Sequence, residues 1–312
     1  MSGLAGHKGD VLLVANPISG SGVVARWLDA VADGLRALGL TVQAVKTRGP
    51  GDARGAARDF AGGVILSFGG DGTFNEVLNG ADLDRCVLGI MPAGTGNVLA
   101  KELGLRGKPL ANLRAMAEGK VVNLDLGVCN GRRFISVFGA GLDAHIVRLV
   151  HEARSGHLTQ FHYVPVALRY AVRPQRWEME VCVDGKPFIR GVDVVCVGNS
   201  HSYGGPIEMT PAASPVDGLF DVMATRAENI GEAWQPLLAT FLRSLHASGS
   251  AVYSRGRCVR VTSSRRDVPW EVDGDVGGEL PADVHCEPQR VRLLAPAAFR
   301  PAAKGYRSLR RA

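Results

Sequence analysis

Three glycines and one aspartate form residues 69–72, directly after a run of apolar residues. The apolar run, residues 64–68, predicts a buried strand, and residues 73–78 predict a helix that Thr73 can cap. A glycine-rich turn between a strand and a helix lets the backbone approach a ligand, because no Cβ is in the way. The N–H groups of such a turn and the positive end of the helix attract phosphate oxygens.

Asp71 lies inside this turn. Its carboxylate would repel a phosphate unless a divalent cation or an incoming hydroxyl group were also present. That combination is typical of phosphoryl transfer. The simpler interpretation is a tight strand-to-helix turn with a solvated aspartate, and the Gly-Gly-Asp-Gly sequence alone does not decide between the two.

Two further glycine-rich loops follow predicted strands in the same half of the chain. Residues 16–22 follow the apolar run at 11–15, and residues 94–97 follow the apolar run at 87–91. Strands that alternate with helices in this way predict a parallel sheet with helices on both faces. Because ligands bind at the carboxyl ends of the strands in open α/β sheets, we expect the three loops to meet at one edge.

The pattern changes near Val121, where short alternating strands replace the strand–helix repeat. The predicted strands are residues 133–138, 178–183, 193–197, 220–224, 258–262 and 291–294. Asp184-Gly185 is typical of a hairpin turn. Helical patterns at residues 144–172 and 232–246 interrupt this mostly antiparallel region.

These patterns predict an α/β nucleotide-binding domain at residues 1–122, a mostly antiparallel β-sandwich domain at residues 123–297 and a basic tail at residues 298–312. No run reaches the roughly 18 apolar residues of a membrane span. The net charge is +6, and the basic tail would either attract anionic lipid or be a frayed, solvated terminus, which the sequence does not decide. No nucleic-acid motif accompanies this charge, so we expect no nucleic-acid partner. We expect a cytoplasmic protein with peripheral contact with the membrane.

Taken together, the motifs resemble the diacylglycerol kinase catalytic-domain superfamily, which includes bacterial lipid kinases, sphingosine kinases and ceramide kinases. The first half of the chain carries Asn16-Pro17 with Ser19-Gly20, Gly69-Gly70-Asp71-Gly72-Thr73 with Asn75, and Pro92 with Gly94-Thr95 and Asn97. The second half carries Gly139-Ala140-Gly141-Leu142-Asp143-Ala144, Asn199 with Tyr203-Gly204-Gly205, Pro211-Ala212, and Asp217-Gly218-Leu219. These elements follow the order of the family across both domains.

The resemblance implies an ATP- and Mg²⁺-dependent lipid kinase that transfers the γ-phosphate to a hydroxyl of a diacylglycerol-like or sphingoid-like lipid at the membrane surface. Asp71 would hold the catalytic Mg²⁺ or orient the attacking hydroxyl. Family members are often dimers, so the resemblance is compatible with a homodimer, although the sequence does not determine the oligomeric state. The implied nucleotide-binding residues are Asn16, Pro17, Ser19, Gly20, Thr47, Gly69, Gly70, Asp71, Gly72, Thr73, Asn75, Gly94, Thr95 and Asn97.

The resemblance places the catalytic base in an Asp-Gly-Glu turn near the end of the second domain. Here residues 273–275 are Asp-Gly-Asp, so Asp275 stands where the family has glutamate. An aspartate can accept a proton in the same way, although it is shorter by one methylene group, or about 1.5 Å. The alternative is an Asp-Gly hairpin with both acids solvated.

The resemblance also implies a second, structural Mg²⁺. Its ligands would be the Asp217 carboxylate and the backbone carbonyl groups of Ser214 and Leu219, and oxygen ligands of this kind suit Mg²⁺. The alternative is a plain turn with an exposed Asp217. Asp125 lies at another acidic position of the family and is a further candidate site residue.

Two other functions stay open at this stage. NAD kinase shares the Gly-Gly-Asp-Gly turn and a related two-domain plan, although Tyr203-Gly204-Gly205 and Asp217-Gly218-Leu219 follow the lipid-kinase pattern. A catalytically weak nucleotide-binding or regulatory protein is the other alternative, because Asp275 departs from the family glutamate. The sequence does not determine which lipid is the acceptor.

Overall fold

The computed structural model describes residues 3–7, 9–152, 176–201, 209–226 and 251–301. These residues fold as two compact units. The first comprises Met1–Leu124 and Gln289–Pro301, and the second lies within Asp125–Pro288. Four predictions fall outside the described residues: residues 153–172 of the helical region at 144–172, the helix at 232–246, the Tyr203-Gly204-Gly205 motif and the tail beyond residue 301.

The first unit is the predicted α/β fold, with helices and strands in alternation. Its parallel strands lie in the order β2–β1–β3–β4, and the end of the last strand of the chain, β16 (Ala282–Ala295), pairs in parallel with β4. The elements are β1 (Asp10–Ala15), α1 (Val23–Ala37), β2 (Thr41–Lys46), α2 (Asp52–Asp59), β3 (Gly63–Gly69), α3 (Asp71–Gly80), β4 (Cys86–Pro92), α4 (Val98–Glu102) and α5 (Pro109–Ala117).

Burial along these strands explains why the apolar runs form the centre of the sheet. Nearly every residue of β1, β3 and β4 is buried, as expected for parallel strands that are covered on both faces. The edge strand β2 has no fully buried residue. Helix α1 buries Val24, Leu28, Val31, Ala32 and Leu35, which recur at helical spacing on one face.

The second unit is the predicted, mostly antiparallel β-sandwich. One sheet has the order β12–β11–β10–β7–β14–β15. The facing sheet is formed by β16, β13, β8 and β9, which pair in that order. Its elements are β5 (Lys120–Cys129), β6 (Arg132–Phe134), β7 (Val137–Gly141), α6 (Leu142–Glu152), β8 (Met179–Val183), β9 (Lys186–Val192), β10 (Val194–Gly198), β11 (Phe220–Thr225), β12 (Ala251–Gly256), β13 (Cys258–Ser263), β14 (Pro269–Val272) and β15 (Asp275–Glu279).

One buried cluster joins the two sheets of the second unit. Phe138 and Val222 from the first sheet belong to the same apolar core as Val181 and Val261 from the other. Asp184-Gly185 forms the predicted hairpin turn between β8 and β9, and both residues have positive φ. None of the helices in the described ranges is both long enough and apolar enough to span a membrane.

Two details differ from the expectations drawn from the sequence. Residues 289–301 fold with the first unit, because Leu293 near the end of β16 pairs with Leu88 of β4. The strand predicted at 133–138 is divided into β6 and β7. It is interrupted because the N–H groups of residues 135–137 donate to the Asp273 carboxylate at 2.8 to 2.9 Å.

Glu76 of α3 supports the N-terminus of the neighbouring helix α2. Its Oε1 accepts a hydrogen bond from the Gly51 N–H at 3.0 Å, and its Oε2 accepts from the N–H groups of Ala53 and Arg54 at 3.1 and 3.4 Å. The first N–H groups of a helix have no carbonyl partner within the helix. The Glu76 side chain therefore acts as a cap supplied from another element.

We expect Glu76→Ala to lower the free energy of unfolding by about 1–2 kcal/mol, because it removes the acceptor for these N–H groups. Urea denaturation measures the change. Asp59→Ala on the same helix is the control, since among the described residues Asp59 pairs with its exposed neighbour Arg58. An equal effect of the two substitutions would contradict the capping role of Glu76.

Candidate active site

The turn between β3 and α3 brings a helix N-terminus to the carboxyl end of the sheet. Helix α3 begins at Asp71 with Gly70 as its N-cap, so the prediction that Thr73 caps this helix is wrong. Thr73 Oγ1 instead lies 3.4 Å from Asn16 Nδ2, which donates to it. A Cβ at Gly69 would lie 2.4 Å from Thr73 Oγ1, so the Thr73 side chain lies directly against the start of the turn. Through Gly69 and Asn16, Thr73 contacts both this turn and the loop after β1.

The loop after β1 lies directly against both of the other glycine-rich loops. The Asn16 N–H donates to Phe68 O at 3.0 Å, and the Ser19 N–H donates to Asn16 O at 3.0 Å. Gly20 has a φ of 64°, and a Cβ there would lie 2.1 Å from Ala93 O. Only glycine allows this approach, because it tolerates the positive φ and leaves room for the carbonyl group.

The loop after β4 completes the contact of the three loops. Its Ala93 N–H donates to Gly69 O at 2.8 Å, and a Cβ at Gly94 would lie only 2.6 Å from Gly70 Cα. Asn97 closes the loop on itself, because its Oδ1 accepts from the Gly94 N–H at 2.9 Å. The three loops thus meet at one edge, as the sequence predicted.

Asp71 holds the loop after β4 in addition to presenting a charge at the start of α3. Its Oδ1 accepts a hydrogen bond from the Val98 N–H at 2.8 Å, and a Cβ at Gly96 would lie 2.7 Å from its Oδ2. Removal from water raises the pKa of Asp71, while the N–H groups of Val98 and Asn97 and the charge of Lys101 act in the opposite direction. Sequence analysis missed Lys101, whose signal is its place in the helix that follows the glycine-rich loop.

The remaining predicted nucleotide contacts lie around these loops. Thr47 follows β2, and its N–H donates to Ala15 O at 2.8 Å, next to the first loop. Thr95 is exposed in the loop after β4. Asn75 is buried inside α3, where its Oδ1 accepts from Asn79 Nδ2 at 3.0 Å. The predicted residues that contact one another are Asn16, Ser19, Gly69, Gly70, Asp71, Thr73, Gly94 and Asn97, and Gly20 lies against Ala93 of the loop after β4.

In the second unit, a two-residue turn carries the candidate base. Asp273 and Gly274 join β14 to β15 with φ angles of 50° and 83°. Asp273 is not a solvated acid, because its carboxylate accepts hydrogen bonds from the N–H groups of residues 135–137, where β6 ends and β7 begins. Burial raises the pKa of Asp273 to about 6, against the effect of these hydrogen bonds. Asp275, the next acid, has a side chain that is 35% exposed, and its Oδ2 lies 3.4 Å from Arg132 Nη2.

Two further carboxylates lie beneath this turn, and sequence analysis assigned no role to either. Glu271 Oε2 accepts from the Gly274 N–H at 2.7 Å. Glu271 Oε1 and Asp143 Oδ2 share the space left by Gly139, where a Cβ would lie 2.7 and 2.0 Å from them. Burial and then the Asp143 charge raise the pKa of Glu271 well above its usual value. His151 Nε2 lies 3.1 Å from Gly274 O, so the turn is held from two sides.

Asp125 fixes the turn that precedes β11. Its side chain is fully buried, and its Oδ2 accepts from the Gly218 N–H at 2.7 Å. Its own N–H donates to Pro215 O at 2.7 Å, and its carbonyl oxygen accepts from Asn199 Nδ2 at 2.8 Å. The structure therefore gives Asp125 a structural role in the Asp217-Gly218-Leu219 element.

The predicted structural Mg²⁺ site at this turn does not fit the residues that surround it. Asp217 Oδ1 accepts from the Leu219 N–H at 3.1 Å, and Asp217 Oδ2 accepts from Arg255 Nη2. Ser214 is buried nearby in the sequence. Both oxygens of the Asp217 carboxylate have donors, and one donor is a guanidinium that would repel a metal ion. The described ranges contain no group of three or more His, Cys, Asp and Glu side chains able to hold a metal ion.

Comparison with known proteins decides the family. Residues 10–129 match the diacylglycerol kinase catalytic domain, and residues 136–295 match the YegS C-terminal NAD kinase beta sandwich-like domain. The chain is 31% identical over 279 residues to a diacylglycerol kinase of Bacillus subtilis (strain 168). This match covers 87% of this chain and 91% of that protein. The chain belongs to the diacylglycerol kinase family.

Other members of the diacylglycerol kinase family agree with this assignment, which confirms the resemblance found in the motifs. A diacylglycerol kinase of Staphylococcus carnosus (strain TM300) is 27% identical over 295 residues, covering 91% of this chain and 94% of that protein. The crystal structure of a diacylglycerol kinase from Bacillus anthracis str. Sterne matches with a TM-score of 0.74 and 21% identity, over 95% of this chain and 99% of that one. This structure supports the fold.

Gly94 and Gly72 test at which positions the fold itself requires glycine. A Cβ at Gly94 would lie 2.6 Å from Gly70 Cα, whereas no atom of the described residues lies within 4 Å of a Cβ at Gly72. We expect Gly94→Ala to lower the free energy of unfolding by about 1–3 kcal/mol. Gly72→Ala should leave it unchanged or raise it by less than about 1 kcal/mol, because alanine favours a helix. Urea denaturation of both variants checks this, and similar losses would show that the loop contact is not restrictive.

Proposed function

We propose that this protein is an ATP- and Mg²⁺-dependent lipid kinase that transfers the γ-phosphate of ATP to a hydroxyl of a diacylglycerol-like or sphingoid-like lipid. Gly72 carries this proposal. It is exposed in the first turn of α3, with no described residue near its Cβ position and no positive φ that would require glycine. A ligand that approaches the helix N-terminus closely explains a glycine that the fold does not need.

The glycine-rich loops bind the phosphates of ATP in this proposal. Phosphoryl transfer depends on positioning and charge neutralisation. The N–H groups at the start of α3, including that of Gly72, donate to phosphate oxygens, and the helix dipole favours the negative charge. Asn16 and Thr95 approach the nucleotide from the loops on either side. Lys101, whose charge acts on Asp71, adds a cation near the phosphates.

Asp71 fits a ligand of the catalytic Mg²⁺. Mg²⁺ is usually held by one or two carboxylates together with phosphate oxygens and water, and Asp71 presents one half-buried carboxylate at the helix N-terminus. When bound, the ion neutralises the charge that develops on the phosphates. The Val98 N–H fixes the direction of the Asp71 side chain through its hydrogen bond to Oδ1.

Asp275 accepts the proton of the lipid hydroxyl in this proposal. Its carboxylate is partly exposed and is oriented by Arg132, which also donates to Val276 O at 2.7 Å. The neighbouring acid Asp273 is occupied by three backbone N–H groups and is not available for this role. The names of the Bacillus and Staphylococcus relatives support a lipid acceptor.

The deciding experiment measures transfer of the labelled γ-phosphate of ATP in the presence of Mg²⁺. Mixed micelles with diacylglycerol, sphingosine or ceramide are offered in one series and NAD in another. We expect label in a lipid. Label in NAD would instead favour the alternative that the match of residues 136–295 to an NAD kinase-like β-sandwich leaves open. Label in neither, with ATP bound, would favour a regulatory protein.

Asp71→Asn is the key variant in this assay. Asparagine keeps an oxygen that accepts the Val98 N–H but removes the charge, so we expect turnover to fall by about 10²-fold or more with the fold intact. Asp59→Asn, an exposed acid of α2, is the matched control and should retain wild-type turnover. Unchanged turnover of Asp71→Asn would remove Asp71 from the mechanism.

A second pair of variants tests the base. We expect Asp275→Asn to lower turnover by about 10²-fold or more, because it removes the proton acceptor, and Asp275→Glu to retain or raise it. The control is Asp267→Asn, since Asp267 is an exposed acid that pairs with Arg265. The lipid transfer assay measures all three variants. Wild-type turnover of both Asp275 variants would mean that another residue is the base.

A further inference from the structure

Two aspartates and one arginine form an ion cluster at the start of β11. Arg255 Nη2 donates to Asp217 Oδ2, and Arg255 Nε lies 3.3 Å from Asp221 Oδ2. Asp221 of β11 and Arg255 of β12 are directly opposite each other in the antiparallel register. The pairing of the strands therefore holds the guanidinium next to both carboxylates.

Asp221 depends on this guanidinium for its charge balance. Its side chain is 1% exposed, and within the described ranges neither of its carboxylate oxygens has a hydrogen-bond partner. A buried carboxylate is strongly unfavourable without a nearby opposite charge. Arg255 supplies that charge and is itself 33% exposed, so its remaining donors reach solvent.

Hydrogen bonds from described residues hold the turn that carries Asp217. The buried Asp125 carboxylate accepts the Gly218 N–H, and the Asp125 N–H donates to Pro215 O. Asp217 Oδ1 accepts the N–H of Leu219, which closes the turn locally. These hydrogen bonds bring the Asp217 carboxylate and the backbone of the turn together.

We propose that the guanidinium of Arg255 takes the place of a divalent cation at the Asp217-Gly218-Leu219 turn, so that this part of the fold is independent of metal. A guanidinium suits the task because it carries a permanent charge and five donors that can serve two carboxylates at once. A divalent ion at Asp217 would have to displace it and would leave an uncompensated cation beside the site. This inference concerns the fold of the second unit and does not depend on the proposed reaction.

The test uses the full-length protein without nucleotide. Mn²⁺ binding is titrated by electron paramagnetic resonance, and the Tm is measured with EDTA and with Mg²⁺. For the wild type we expect the same Tm in both buffers and no tight Mn²⁺ site at this turn. Arg255→Gln leaves two adjacent carboxylates without their cation, so it should bind Mn²⁺ about tenfold more tightly than the wild type and gain Tm in Mg²⁺.

Arg260→Gln on β13 is the matched control, because Arg260 pairs with an exposed aspartate, Asp283, and should gain no Mn²⁺ affinity. If the Arg255→Gln variant folds but gains no Mn²⁺ affinity, the proposal is overturned. The wild-type measurement decides even if that variant does not fold. A tight Mn²⁺ ion in the wild type that Asp217→Asn removes would also overturn it.

Discussion

The candidate site in the first unit depends on the close approach of two backbone segments at Gly70 and Gly94. A side chain at Gly94 would begin 2.6 Å from Gly70 Cα, so the two loops can meet only as glycines. This contact sets the position of the α3 N-terminus relative to the loop after β4. Between the same two loops, the Asp71 carboxylate accepts a hydrogen bond from the Val98 N–H. This one carboxylate is therefore both a structural link and a charged group of the site.

The second unit shows how burial divides its acids between structure and chemistry. Asp125 and Asp273 accept backbone N–H groups and hold turns in place, and Glu271 supports the turn that carries the candidate base. Asp275 remains partly exposed, with a single ion pair to Arg132 among its contacts. Backbone N–H groups therefore hold Asp125 and Asp273 in structural roles, whereas the Asp275 carboxylate is left partly open to solvent.

The Asp217 turn shows how one side chain can change the chemistry of a motif. The residues of the Asp-Gly-Leu element are present, but Arg255 from the adjacent strand donates to its carboxylate. Arg255 is 38 positions away in the chain, and its pairing with Asp221 follows from the register of β11 and β12. The charge partner of the Asp217 carboxylate therefore comes from outside the motif.

The sequence by itself determined the α/β and β-sandwich architecture, the family and the meeting of three loops, because apolar periodicity, the positions of the glycines and the succession of strands and helices can be read along the chain. Only the tertiary structure decided what each polar side chain contacts. Thr73 binds Asn16 instead of capping α3, residues 289–301 join the first unit, and Arg255 occupies the Asp217 carboxylate. Each of these outcomes depends on partners that are distant in the chain. Strand register and burial bring these partners together, and neither can be read from the local sequence pattern.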